Sequence, residues 1–245
     1  MKESVEQIKT KEAVPKHIIV ELGPGDRPLV WRLSRDGKAR YKARGETLFN
    51  VNPGDTFFAV DLPPDESLDV FRFHIQKGTW DPVEQRMKSH LLEIKEHLNK
   101  FLPKGAKGEV LHADGQRLPF IDGQVDVLFM SNVIGGHIRG DELGGFKANQ
   151  RRILREKQNL IKEAKRVLKT GGKLILEEEY APAENVKAAW KKVVEDLKND
   201  PDFTARDLFD NGNGVPVLEL TKKELDQDPS IGRKNDLQGS SNVLH

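Results

Sequence analysis

Residues His17–Pro28 read HIIVELGPGDRP, and this stretch limits the folds open to the chain more than any other. Ile18, Ile19 and Val20 make a short β-branched run, the composition of a strand buried on both faces of a parallel sheet. Glu21 closes the run, and Gly23-Pro24-Gly25 then turns the chain. Glycine at both positions removes the Cβ atoms that would hold a ligand away from the backbone. The pattern predicts the carboxyl end of a nucleotide-binding strand, although a Gly-Pro-Gly turn after a buried strand also serves simply as a turn. Two nucleotide motifs are absent. A dinucleotide site takes G-x-G-x-x-G, and here the third glycine position is Pro28. No G-x-x-x-x-G-K-[ST] occurs, which excludes a P-loop.

A chain of 245 residues suits one α/β domain with additions. Its 36% apolar and 32% charged residues predict a globular domain with a heavily hydrated surface. A net charge of +1 gives no global attraction to nucleic acid or to an anionic membrane. The chain has no cysteine, so disulfides, thiolate chemistry and cysteine-ligated zinc are excluded, and no metal site is expected. No apolar run approaches ~20 residues, and MKESVEQIKTKEAVPK lacks the apolar core of a secretion signal. A cytoplasmic protein is the expectation. Residues 1–16 read as an N-terminal extension, 17–221 as the principal domain and 222–245 as a polar tail.

Along the chain, a short helix from Pro28 to Leu33 is expected to precede an inserted hairpin at about 34–55, signalled by Asp36-Gly37. The hairpin carries Arg35, Lys38, Arg40, Lys42 and Arg44. A solvated hairpin is the favoured reading, and contact with an anionic substrate is the alternative. Thr56–Asp61 reads as a second strand ending in a carboxylate, placed to accept hydrogen bonds from a ribose diol. Pro82–Leu102 reads as an amphipathic helix with Met87, Leu91, Ile94, Leu98 and Phe101 inward and His90 and His97 on its wet side. Glu109–His112 reads as a short strand and Val125–Met130 as a buried one. Ala148–Leu168 reads as a second long helix whose Arg151, Arg152, Arg155 and Lys157 form a solvated face or an anionic docking patch. Gly171-Gly172 is expected to cap it, before a fifth strand at Lys173–Glu178. Asn185–Lys198 reads as a helix. Phe203–Phe209 and Val215–Leu220 read as a closing hairpin, with Pro216 suggesting an edge or a bulge.

Three blocks share one resemblance. E-L-G-P-G at 21–25, A-D-G-x-x-L-P-F-x-D-x-x-V-D-V-L-F-x-S-N-V at 113–133 and R-V-L-K-T-G-G-K-L-I-L-E at 166–177 resemble class I S-adenosylmethionine-dependent methyltransferases. The middle block is similar to the small-molecule branch that includes the ubiquinone and menaquinone C-methyltransferases. The resemblance implies a Rossmann-like, seven-stranded, mostly parallel sheet with helices on both faces and an antiparallel last strand. It implies S-adenosylmethionine as cofactor, with Glu21, Gly23, Pro24 and Gly25 at its methionine end. Asp61 and Leu62 then lie at the ribose, Asp114 and Gly115 at the adenine, and Ser131 and Asn132 at the sulfonium. The glycine-rich stretch from Gly135 to Phe146 falls where the family covers the methyl acceptor, and its His137 is the weak candidate for a general base. The implied acceptor is a small molecule. An RNA acceptor held by the basic segments, or a scaffold that binds the cofactor without catalysis, are the alternatives. An NAD-dependent oxidoreductase ranks last because of Pro28.

Overall fold

In the computed structural model the apolar run after His17 is a strand whose five residues are all buried. The structure describes residues 16–23, 29, 33, 37–40, 47–61, 92, 94–131, 133, 146–177, 192–210 and 216–224. Its strands in chain order are β1 (Ile18–Leu22), β2 (Lys38–Arg40), β3 (Thr47–Asn50), β4 (Thr56–Asp61) and β5 (Lys107–His112). They continue with β6 (Val125–Ser131), β7 (Leu168–Glu177), β8 (Phe203–Asp210) and β9 (Pro216–Lys222). Helical residues form α1 (94–101), α2 (Phe146–Val167) and α3 (192–198).

Seven strands make one sheet in the order β5-β4-β1-β6-β7-β9-β8. The first five in that order pair in parallel, and β9 lies antiparallel between β7 and β8. This is the mostly parallel sheet that the resemblance implies, with its last strand antiparallel. The alternation of side chains along each strand builds two cores. On one face Ile18, Val20, Leu22, Val60, Leu128, Met130, Leu174 and Leu176 pack with Ile161, Ala164 and Val167 of α2 and with Val193, Val194 and Leu197 of α3. On the other face Ile19, Phe57, Ala59, Phe129 and Ile175 pack with Ile94 and Leu98 of α1.

The inserted hairpin belongs to that second core. β2 and β3 pair antiparallel, and Leu33 bridges Ala39, so the chain folds back twice in this segment. Leu33, Ala39, Leu48, Phe49 and Val51 are all buried, and the Phe49 ring lies 6.2 Å from that of Phe129 in the central strand. A solvated hairpin is therefore the wrong picture. Its many bases conceal a set of apolar side chains that roof the sheet beside α1. Residues 30–32 are outside the described set, so the short helix expected there is not assessed.

Other local expectations shift. β7 begins at Leu168, directly after α2, and the register jumps between Val125 and Val127, opposite Leu168 and Lys173. Gly171-Gly172 thus lies in an irregular stretch of strand instead of capping the helix. The helix end is held by Lys222, whose Nζ donates to the carbonyls of Lys165 (2.6 Å) and Leu168 (2.7 Å). Lys222 is consequently part of the sheet and not of a polar tail. Pro216 opens the interior strand β9 at its first residue, a position where the missing N–H is tolerated. His97 is half-buried and stacked on Phe101 at 5.4 Å rather than fully wet. Lys157 is buried, so it does not belong to a solvated basic face.

Replacing Phe49 by alanine tests the packed hairpin. A buried ring costs about 3–5 kcal/mol on truncation, whereas a solvated one costs little. Urea unfolding of Phe49→Ala is expected to show a loss in that range. A change below about 0.5 kcal/mol would return the hairpin to solvent.

Candidate active site at the carboxyl edge of the sheet

Parallel pairing brings the carboxyl ends of β1, β4, β5 and β6 to one edge. Leu22 is level with Val60 and with Met130, and Asp61 is level with His112. After β1 the sheet grows outward through β4 and β5, and then on the other side through β6 and β7. Loops diverge at such a reversal and leave a crevice, the usual ligand position in open α/β sheets.

Gly23 stands at the end of β1. Its N–H donates to the carbonyl of Val60 at 2.9 Å, and its φ of +65° is in the left-handed region. A Cβ there would come within 2.7 Å of Val133 Cγ2, so glycine is demanded by conformation and by space. Glu21 is fully buried, and its Oε1 accepts from the Leu29 N–H at 2.5 Å. That bond returns the chain to β1 after the turn. Pro24 and Gly25 lie outside the described residues, as do Leu62, Asn132 and His137.

Asp61 closes β4 and is partly exposed. Its carbonyl accepts from Ala113 N at 2.9 Å, which sets the 113–115 segment beside it. Asp114 Oδ1 accepts from Gln116 N, and its carbonyl accepts from Arg117 N, both at 2.8 Å. One carboxylate oxygen of Asp114 therefore shapes a turn. Gly115 is buried, and a Cβ on it would meet Leu22 Cδ2 at 2.7 Å and Leu160 Cδ2 at 2.9 Å. Its smallness is thus required by β1 and α2. Ser131 closes β6, buried and level with Glu177 at the end of β7. By strand alternation Glu21, Ser131 and Glu177 point to the same face as Ile19, Phe129 and Ile175.

Asp61 and Glu177 are the last residues of β4 and β7, Glu21 is the last but one of β1, and Asp114 follows β5. Among the described residues no three His, Asp or Glu side chains are grouped to hold a metal ion. No helix among them is long and apolar enough to cross a membrane.

The sequence did not single out Glu177 as a site residue, and it did not single out Glu163. Glu163 is buried on α2, where its Oε1 accepts from Leu118 N at 2.6 Å. Arg166 reaches back one turn, donating to Glu163 from Nε at 2.8 Å and from Nη2 at 2.7 Å. It also donates to Asp122 Oδ1 at 2.7 Å and to the Leu118 carbonyl at 3.1 Å. The Arg166 hydrogen bonds hold Glu163 below the ordinary carboxylate range, against burial, which acts the other way; the Leu118 N–H adds to the lowering. Hydrogen bonds to Glu163 and Asp122 raise Arg166 correspondingly. Elsewhere on α2, burial acts to lower Lys165, but the hydrogen bonds it donates to Asp200 and Asp202 together prevail and raise it. A signal for Glu163 exists in sequence: it borders the apolar stripe of α2 formed by Leu160, Ala164 and Val167.

Residues 86–176, just over a third of the chain, match the methyltransferase domain family. This match describes a methyltransferase domain: the protein is an enzyme, a methyltransferase, and S-adenosylmethionine is its cofactor. No curated relative matches the chain. Among solved structures, a SAM-dependent methyltransferase from Aquifex aeolicus is similar at 16% identity, with 86% of this chain and 84% of that one covered and a TM-score of 0.41. The antibiotic-resistance methyltransferase Kmr is similar at 14% identity, with 86% and 88% covered and a TM-score of 0.43. A SAM-dependent methyltransferase from Methanosarcina mazei is similar at 16% identity, with 84% and 72% covered and a TM-score of 0.36.

The lowered pKa of Glu163 makes a pH prediction. A carboxylate depressed in the folded state contributes stability above its unfolded value near 4.5 and loses it as pH falls through the folded value. Denaturant titrations between pH 7 and pH 3 are expected to show part of the acid destabilisation vanish in Glu163→Gln. An unchanged acid slope in that variant would refute the linkage.

Proposed function

We propose that the protein transfers a methyl group from S-adenosylmethionine to a small-molecule acceptor, in the manner of the branch containing the quinone C-methyltransferases. The observation that carries this reading is the juxtaposition of Gly23, Asp61 and Asp114 by two main-chain bonds, Gly23 N to Val60 O and Ala113 N to Asp61 O. The donor set of the cofactor fits the acceptors at this edge. Gly23, Pro24 and Gly25 line its methionine portion, with Glu21 beneath. Asp61 and Leu62 hold the ribose, and Asp114 and Gly115 the adenine. Ser131 and Asn132 face the sulfonium.

When bound, the cofactor supplies an electrophilic methyl group on a good leaving group. The protein's task is then chiefly orientation, which contributes on the order of 7–11 kcal/mol at best. Asp61 and Asp114 fix the two ends of the nucleoside and so set the direction in which the methyl group points. His137, outside the described residues, is the weak candidate for a base where the acceptor nucleophile starts protonated, and packing or capping is its favoured role. For an RNA acceptor, Lys157 of the basic helix is buried and so is not presented to it.

Calorimetric titration with S-adenosylmethionine and S-adenosylhomocysteine tests the assignment. Micromolar binding to the native protein is expected, weakened roughly 10–100-fold in Asp61→Ala and in Asp114→Ala, the range for hydrogen bonds to a charged group. Absence of binding to folded native protein would overturn it. Binding unaffected by both substitutions would move the site elsewhere.

A further inference from the structure

Asn159, Glu163 and Arg166 recur along α2 at steps of four and three, so they share one face of the helix. That face grips the loop between β5 and β6 at successive points. Asn159 Nδ2 donates to Gln116 Oε1 at 2.9 Å. Glu163 takes the N–H of Leu118, and Arg166 takes its carbonyl. Arg166 also binds Asp122, and its own carbonyl accepts from Gly123 N at 2.9 Å. At the near end of the loop, Gln116 N donates to Asp114 Oδ1.

Burial alone would keep this loop on the sheet, since Leu118 and Phe120 are both in the core. A buried carboxylate is not the economical way to add stability, because its desolvation offsets much of the ion-pair attraction. Directional bonds to the N–H and the carbonyl of one residue, which lie in two successive peptide units, do something packing cannot. They fix the orientation of the main chain, and through Gln116 that of the Asp114 carboxylate. We infer that Asn159, Glu163 and Arg166 are positioning residues for the adenine of the cofactor, acting through the 116–123 main chain on Asp114. The inference rests on the assignment of Asp114 and Gly115 to the adenine.

The test compares S-adenosylhomocysteine with S-inosylhomocysteine, which lacks the 6-amino group that Asp114 would accept. Affinities are measured for the native protein, Glu163→Gln and Arg166→Met, each shown to be folded at the temperature used. The native protein is expected to prefer the adenine ligand by at least about tenfold, since a site built for a donor rejects its absence. In both variants that preference is expected to collapse towards unity. Arg166 has a side chain one-third exposed, so its variant carries the test if Glu163→Gln does not fold. Variants that lose thermal stability but keep the native preference would overturn the inference and leave the adenine assignment standing. A native protein that binds both ligands equally would overturn the adenine assignment, and the inference with it.

Discussion

The two-sided parallel pairing of β1 is the constraint on which the site depends. All five residues of this strand are buried, so its main-chain groups need partners, and β4 and β6 supply the ladders on either side. Its entry is tied by Asp126, whose Oδ2 accepts from Ile18 N at 2.7 Å while Lys169 neutralises the carboxylate. Its exit is tied by Gly23 N on Val60 O. With both ends fixed, the reversal of sheet growth falls beside β1, at the edge where Asp61 and Ser131 end their strands and Gly23 follows β1.

Buried charge in this fold acts mainly as a set of local ties on irregular backbone. Glu21 holds Leu29, Asp126 holds Ile18, Glu163 holds Leu118 and Lys222 holds the end of α2. Each tie satisfies a main-chain group that a helix or sheet ladder does not. The ties at Glu21 and Glu163 both bear on segments that flank the crevice. A methyltransferase that works largely by orientation has a use for backbone held in one geometry.

Much of the sheet was legible because strand periodicity and β-branched composition are local signals. The Thr56–Asp61 strand and the acid that ends it came directly from pattern, as did the placement of Asp114 after β5. The inserted hairpin was misread for a physical reason. Its apolar residues, Leu33, Ala39, Leu48, Phe49 and Val51, are spread across three short segments, and the bases between them dominate any window. Lys157 was misread because a helix of mixed charge looks solvated all round until its neighbours are known. The family match begins at residue 86, beyond β1 and β4. Of the motif at Glu21–Gly25 the structure describes the end of the strand, Glu21 and Gly23.

By itself the sequence determined the order of strands and helices, the glycine that must turn after β1, and the acids that end β4 and follow β5. It did so because side-chain periodicity, β-branching and left-handed backbone are properties of a few neighbouring residues. Only the tertiary structure decided which charged side chains lie inside, that the basic hairpin roofs one face of the sheet, and that α2 grips the loop after Asp114. Those outcomes depend on contacts between residues as much as 80 positions apart, as Phe49 and Phe129 are, and no local pattern encodes them.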